Sequence, residues 1–341
     1  MKSAFGLDIG IDVIKVANLV KSGGGYSLES AAYAPSPRPG ILSESAIDLE
    51  KVADGINNIL HTASISLRNA HISIPQSQVF TKIIEMPKLS ERELSAALAY
   101  EMDQYIPLPL DQVRIDWQVL SEYEQHGQYK LNVLIIAASL SIIQKYEKIL
   151  QFAKIESESI ETEIVSVQRS LSPMLTTPEP VMLLHLGPSS LDLAIVSSEM
   201  LEMVYTIGLG GLAIIRGLAV DMGKSPQEMD HVEFLFSLKD NVFSSSDMKA
   251  LGPIMDSILG DIRKAILAYR NKYRKNVSEI ILSGEYAHIP GIAEFLQEKL
   301  GVHTDLANPW TAQQIANVPE ELQARSAGFA VVVGLALRSV L

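Results

Sequence analysis

Apolar residues form short blocks around glycine turns at two widely separated places in the chain. The first is GLDIGIDVIKV, Gly6–Val16, and the second is LLHLGPSSLDLAIV, Leu183–Val196. A short apolar run bounded by turn residues is typical of a strand buried on both faces. Apolar residues elsewhere recur at helical spacing, as in Ile47–Thr62 and Ile292–Leu300. The pattern predicts an α/β protein with two similar sheet-and-helix units.

The pattern changes between these two blocks, from about residue 76. Two strands at Val113–Leu120 and Tyr129–Ala138 lie between two amphipathic helices. The first helix is opened by Ser90, and Glu93 three residues later completes a capping box, a common signal for a helix start. Leu94, Leu98 and Met102 would stack along that helix. We therefore expect a small α+β subdomain inserted in the first unit.

These signals divide the chain into two lobes and an insertion. Residues 1–75 and 156–175 are predicted to form the first lobe, and residues 76–155 the inserted subdomain. Residues 180–341 are predicted to form the second lobe. Pro173–Pro180 is rich in proline and threonine, which is typical of a linker.

A third glycine motif, EIILSGEYAHIPGIAEFLQEKLG at Glu279–Gly301, places a turn before a helix. Backbone N–H groups in such turns and at helix N-termini bind phosphate. In the first turn, Asp8 could hold a hydrated Mg²⁺, Gly10 permits close backbone approach, and Lys15 could reach phosphate oxygens. The alternative interpretation of this turn is a plain β-hairpin with an exposed lysine.

Composition narrows the classes of function. The chain has 341 residues, a formal net charge of −12 and no cysteine. The acidic balance argues against nucleic-acid binding, and the missing cysteine excludes disulfides and thiol catalysis. We expect no signal peptide, because Asp8 interrupts the first apolar stretch. The apolar run Ala327–Leu337 is too short to span a bilayer. We expect a cytoplasmic protein.

Two further glycine motifs do not fit nucleotide-binding patterns. GLAVDMGKS, Gly217–Ser225, has five residues between its glycines, where a Walker A loop has four. GLGGLA, Gly208–Ala213, is not followed by the second strand of a Rossmann unit. The histidines show no metal-ligand spacing, and no serine nucleophile elbow occurs.

The chain resembles the PilM family of type IV pilus assembly proteins, relatives of FtsA in the actin-like ATPase superfamily. The resemblance rests on GLDIGIDVIKV, on EMDQYIPLPLDQVRIDWQVL at Glu101–Leu120 and on GLALR at Gly334–Arg338. It implies a two-lobed actin-like fold with ATP and Mg²⁺ as ligands. Asp8 would then be the metal-binding residue, and the residues around the nucleotide would be Asp8, Gly10, Lys15, Gly187, Gly210, Gly211 and Gly284.

The departures from the family pattern coincide with this nucleotide site. Asp12 stands where the family has Ser or Thr, His185 replaces the Asp of the second turn, and Pro188 removes a backbone N–H. Glu285 and Tyr286 replace two glycines of the third turn. We expect a degenerate site and no enzymatic activity. The alternatives are an active actin-like ATPase, a sugar or acetate kinase of the same superfamily, and an FtsA-like division protein.

The resemblance also implies partners. It predicts a scaffold that binds the cytoplasmic tail of a PilN-like inner-membrane protein and joins the pilus assembly platform to its motor, with self-association possible. Glu101 and Asp103 of the capped helix, followed by Ile106 and Pro107, are predicted to form a wall of the tail-binding groove. A related type II secretion system is the alternative to a type IV pilus.

Overall fold

The computed structural model describes residues 3–106, 109–125, 127–225, 231–244 and 248–341 of the chain. Its strands in chain order are β1 (Phe5–Ile9), β2 (Val13–Ser22), β3 (Gly25–Pro35), β4 (Asn69–Ile74), β5 (Val79–Pro87), β6 (Val113–Gln125), β7 (Gln128–Ser139), β8 (Glu156–Thr162), β9 (Val181–Leu186), β10 (Leu191–Ser197), β11 (Met200–Ile207), β12 (Glu279–Ser283), β13 (His303–Leu306) and β14 (Ile315–Ala316).

The α-helices in chain order are α1 (Ala46–Thr62), α2 (Glu91–Tyr105), α3 (Leu140–Ala153), α4 (Glu163–Ser170), α5 (Gly211–Asp221), α6 (His231–Ser237), α7 (Leu251–Tyr273), α8 (Ile292–Leu300), α9 (Pro309–Ala312), α10 (Glu320–Gln323) and α11 (Ala330–Leu337). Within the described ranges, no helix combines the length and the apolar character that crossing a membrane requires.

The strands form three sheets. The first has the order β14-β3-β2-β1-β4-β8, and the second has the order β11-β10-β9-β12-β13. Each begins with an antiparallel hairpin built on a glycine turn and continues with parallel strands. The third sheet, β5-β7-β6, is antiparallel and comes from the predicted insertion. The predicted architecture of two lobes with a small inserted subdomain is confirmed.

Helix α2 covers one face of the small sheet. The predicted capping box is present, because the Ser90 side chain accepts from the Glu93 N–H and the Glu93 carboxylate accepts from the Ser90 N–H. Leu94, Leu98 and Met102 are all buried, and they pack with apolar residues of β5, β6 and β7. The apolar stripe that the sequence shows therefore anchors the helix on its sheet.

The C-terminal segment packs differently from the prediction. The sequence pattern assigns all of residues 180–341 to the second lobe. Instead β14 pairs with β3 of the first sheet, and α11 contacts β1, β2 and α4. All eight residues of α11 are buried, so this helix needs apolar neighbours on every side. It obtains them in the layer between the two large sheets.

Two glycines allow this close packing. A Cβ atom on Gly334 of α11 would lie 1.9 Å from the Ser166 carbonyl oxygen of α4. A Cβ on Gly6 of β1 would lie 2.4 Å from the Val332 carbonyl oxygen of α11. Because these neighbours are backbone atoms, they cannot move aside like a flexible side chain. Glycine at both positions is therefore required for α11 to sit between β1 and α4.

We predict that Gly334→Ala destabilises the protein by about 1–3 kcal/mol, since α4 and α11 must move apart. Gly260→Ala is the matched control, because Gly260 lies in α7 and an added Cβ there has no neighbour within 4 Å. That helix substitution should instead stabilise the protein by about 0.5–1 kcal/mol. Urea unfolding followed by circular dichroism measures both. Equal effects of the two changes would show that the helix contact is not tight.

Candidate functional site

The first glycine turn brings Asp8, Gly10 and Lys15 together, as predicted. Asp8 in β1 lies directly opposite Lys15 in β2, and both side chains are buried. Lys15 is therefore buried, and not exposed as the alternative interpretation of this turn has it. The Gly10 N–H donates to the Val13 carbonyl at 3.1 Å, and a Cβ on Gly10 would lie 2.5 Å from that oxygen. The glycine thus closes the turn, and its N–H is used within it.

The Lys15 ammonium reaches across to the second lobe. Its Nζ lies 2.8 Å from Oε2 of Glu285 and 3.9 Å from Oδ2 of Asp8. Burial alone would lower the pKa of Lys15, but the carboxylates of Glu285 and Asp8 outweigh it and raise that pKa. Burial alone would raise the pKa of Glu285, but Lys15 holds it below its usual value. Both side chains are therefore ionised, and they form a buried ion pair between the lobes.

Tyr286 makes a second contact between the lobes. Its hydroxyl donates to Oδ2 of Asp12 at 2.5 Å, and its side chain is only 1% exposed. The ring packs on the backbone of Gly211, where an added Cβ would lie 1.9 Å from the ring. The residues that replace the family's glycines in the third turn thus point into the space between the lobes.

The second glycine turn closes on the start of helix α5. The N–H groups of Gly211 and Leu212 donate to the carbonyls of Gly187 and Pro188 at 2.8 and 3.0 Å. A Cβ on Gly210 would lie 2.4–2.7 Å from the backbone of this loop. A helix N-terminus attracts anions through free N–H groups. Here the loop carbonyls accept from two of those groups.

Gly284 lies in the same cluster. Its φ of +100° favours glycine, and a Cβ there would lie 2.3 Å from the Leu186 carbonyl oxygen. The predicted residues Gly187, Gly210, Gly211 and Gly284 are therefore close together. Their space is filled by their own loops and by Tyr286.

His185 occupies the position of the missing second-turn carboxylate. It is buried, and its Nδ1 lies 3.0 Å from Oγ of Ser283. Burial, helped by the positive charge of Lys15, lowers the pKa of His185 to about 3. The imidazole is neutral at physiological pH and contributes no negative charge. Mg²⁺ prefers oxygen ligands, so this turn offers it none through His185.

Two further carboxyl groups that we did not identify from sequence lie close to one another near the cleft, and the first of them is also close to Asp8. They are Glu163 at the start of α4 and Asp192 in β10. Burial, followed by the charges of Asp8 and Asp192, raises the pKa of Glu163 well above its usual value. Burial raises the pKa of Asp192 to about 6. Asp192 interrupts the apolar strand LDLAIV, and this interruption is the sequence signal by which it could have been identified.

These residues do not fit a magnesium–triphosphate group in this arrangement. Lys15 is already neutralised by Glu285, and the N–H groups of Gly10 and Gly211 are used within the protein. The ionised carboxylate of Glu285 stands beside Lys15, and like charges repel phosphate oxygens. These residues therefore offer phosphate no free cation and no free N–H donor.

The predicted wall of the partner groove is described only in part. Glu101 and Asp103 lie in α2, but their side chains fall outside the part of the chain that the structure describes, and so does Pro107. Ile106 is buried and packs in the core of the small sheet. The wall stays a prediction.

A separate groove of about 680 Å³ lies between the small sheet and the first lobe. Strand β6 forms one side with Arg114, Asp116 and Trp117, and helix α3 contributes Ile143 and Glu147. Strand β6 is also the outer strand of its sheet. The groove therefore has an apolar floor, charged rims and a strand edge along its length.

The end of the groove is held by ion pairs around Glu161, which also lines it. Arg169 and Arg338 donate to Glu161 Oε2 at 2.8 and 2.9 Å. Arg169 also donates to the Gly334 carbonyl at 2.9 Å. This network ties the groove to helices α4 and α11.

Comparisons with known proteins agree with this architecture. Residues 6–340 match the family described as "Type IV pilus assembly protein PilM". A solved structure titled "PilM-PilN type IV pilus biogenesis complex" is similar over 99% of both chains, with 23% identity and a TM-score of 0.84. The ethanolamine utilization protein EutJ from Carboxydothermus hydrogenoformans is similar over 98% of this chain and 89% of its own, with 11% identity and a TM-score of 0.56. The actin-like fold that the sequence predicts is confirmed.

We predict that His185 makes stability depend on pH. Its pKa is about 3 in the folded protein and ordinarily 6.5, so between these values only the unfolded chain binds the proton. The contribution of neutral His185 to the free energy of unfolding is therefore fully present above pH 6.5. It falls by up to about 1.4 kcal/mol per pH unit as the pH drops towards 3.

His185→Asn removes this dependence and keeps a polar side chain beside Ser283. Asp192, the cross-strand partner of His185, acts in the opposite direction between its usual pKa of 3.8 and about 6, and it is present in both proteins. Urea unfolding at pH 7.5 and pH 5.5 should show the wild type losing stability relative to the variant. Parallel pH profiles would mean that His185 is accessible to protons in the folded state.

Proposed function

The chain belongs to the PilM family of type IV pilus assembly proteins, and from this we propose that it is an actin-like scaffold that works without ATP. The observation that carries the proposal is the pair of contacts across the cleft, Lys15–Glu285 and Tyr286–Asp12. They involve three of the residues that depart from the family pattern. An ATPase or kinase would need the same space for phosphate and metal.

The scaffold would bind the cytoplasmic tail of a PilN-like inner-membrane protein. The support is that the solved relative, of matching length, is described as a complex with PilN. Binding to the tail would hold the protein at the inner face of the cell membrane. There it would link the assembly platform of a pilus, or of a related secretion system, to the motor. Self-association in such an assembly is part of the same proposal.

We place the tail in the groove between β6 and α3. An extended peptide can add to an outer strand through backbone hydrogen bonds. On β6 it would have to displace the Asp116 carboxylate, which accepts from the Trp117 N–H at 2.9 Å. Asp116 on β6 and Glu147 on α3 are both exposed, and they lie at the rims of the groove. Carboxylates on both sides suit a tail that carries Lys or Arg near the membrane.

We predict that the protein neither binds nor hydrolyses ATP measurably. Calorimetric titration with Mg·ATP should give no saturable heat, and a phosphate-release assay should give no turnover above buffer. An active actin-like ATPase measured under the same conditions is the positive control. Micromolar affinity together with turnover comparable to that control would favour the ATPase alternative over the scaffold.

We predict that Asp116→Lys with Glu147→Lys weakens tail binding by about 10-fold or more at low salt, and that the loss shrinks as salt rises. The ligand is a synthetic peptide with the cytoplasmic tail of the PilN-like protein from the same organism. The measurement is fluorescence anisotropy. Exposed charge changes should alter stability by only about 0.5 kcal/mol or less, so the fold is retained.

Two matched double variants complete this experiment. Glu101→Lys with Asp103→Lys tests the wall on α2, and Glu50→Lys with Glu294→Lys makes the same charge change at exposed sites on α1 and α8. The α1 and α8 variant should bind like the wild type after correction for net charge. Loss in the α2 variant alone would move the tail from the groove to that helix.

A further inference from the structure

We propose that Lys15–Glu285 and Asp12–Tyr286 form a latch that holds the two lobes closed in place of a nucleotide. Glu285 and Tyr286 are neighbours in the turn that follows β12 of the second lobe. Lys15 and Asp12 belong to the first hairpin of the first lobe. A single turn of one lobe thus reaches a single hairpin of the other with two different side chains.

The ionic half of the latch is buried from water. Side-chain exposure is 7% for Lys15 and 8% for Glu285, and the two charged atoms lie 2.8 Å apart. Opening the lobes would break this charge-assisted hydrogen bond, which is stronger than a bond between neutral groups. The Glu285 carboxylate therefore does for Lys15 what a phosphate oxygen would do.

The polar half of the latch, Asp12–Tyr286, also joins the two lobes through a buried side chain. The buried Tyr286 hydroxyl donates to Asp12, and its ring rests on the Gly211 backbone at the start of α5. Glycine at this position admits a flat group directly against the chain. Tyr286 supplies that group from within the protein and ties it to the first lobe.

Arg325 holds the latch in position. Its Nη1 lies 3.4 Å from Oε1 of Glu285, so the carboxylate faces two cations. The Arg325 guanidinium also lies over two rings, 4.0 Å from the centre of Tyr33 in β3 and 3.7 Å from the centre of Phe236 in α6. Those rings belong to different lobes, so Arg325 adds a cation–π contact on each side of the seam.

The test measures the distance between the lobes in the full chain without any ligand. The sequence contains no cysteine, so Glu50→Cys on α1 and Glu294→Cys on α8 give two unique, exposed sites for spin labels. Pulsed electron paramagnetic resonance then reports the distribution of distances between them. We expect one narrow distribution for the otherwise unchanged protein.

Tyr286→Phe removes only the hydroxyl, and Glu285→Gln removes only the charge. Each should broaden the distribution and shift its mean, and Glu285→Gln should lower Tm by roughly 5–10 °C because Lys15 loses its closest counter-ion. Tyr269→Phe is the matched control. The Tyr269 hydroxyl donates to Glu202 within the second lobe, so its loss should affect stability but leave the distance unchanged.

Two results would overturn the latch. One is an unchanged distance distribution in both latch variants while their Tm values fall, which would leave these contacts as ordinary stabilising bonds. The other is a shift of the wild-type distribution when Mg·ATP is added, which would mean that a nucleotide still controls the cleft. Because no tail peptide is present, failure of the proposed tail binding would not affect this experiment.

Discussion

A charge buried inside a protein has to be neutralised nearby, and Lys15 at the turn of the first hairpin imposes this condition on the whole cleft. A phosphate group would neutralise it in an actin-like ATPase. In this chain Glu285 does so, and Asp8 lies on the other side. Once a carboxylate takes the place of the phosphate beside Lys15, neighbouring groups that attract phosphate or metal are no longer needed. The neutral His185 and the Tyr286–Asp12 hydrogen bond are consistent with that single exchange.

A second constraint fixes the packing of the first lobe, which carries the hairpin of Lys15. Helix α11 is apolar on all sides and lies against both β1 and α4, with glycine at each point of closest approach. Backbone contacts of this kind leave little freedom for sliding. Arg325 follows α10 in the same C-terminal segment and reaches Glu285 from there. The packing of the first lobe and the electrostatics of the cleft therefore both depend on the C-terminal segment.

The sequence predicts the local features well, since these depend on spacing within one element. The hairpin around Gly10, the capping box at Ser90 and the alternating strands of the small sheet follow from nearest-neighbour rules. What it does not predict is set by contacts between distant segments. The place of α11 in the first lobe is one such case, because an entirely apolar helix carries no sign of which sheet covers it. The pairing of Lys15 with Glu285, 270 positions apart, is another. The sequence shows that residues of the family pattern are lost at these positions. The new partners of the substituted side chains can be identified only from the fold.

The groove and the cleft share a structural element, which links the proposed binding surface to the closed lobes. Helix α4 begins with Glu163, which is close to Asp8 in the cleft. Glu161, two residues earlier, lines the groove and holds Arg169 of α4 and Arg338 beyond α11. Arg169 in turn donates to the Gly334 carbonyl, at the tightest contact between the two helices. Any movement of α4 relative to α11 would alter both sites at once. The proposed latch would therefore also hold the groove in one arrangement, and a preorganised groove would lower the cost of binding an extended partner.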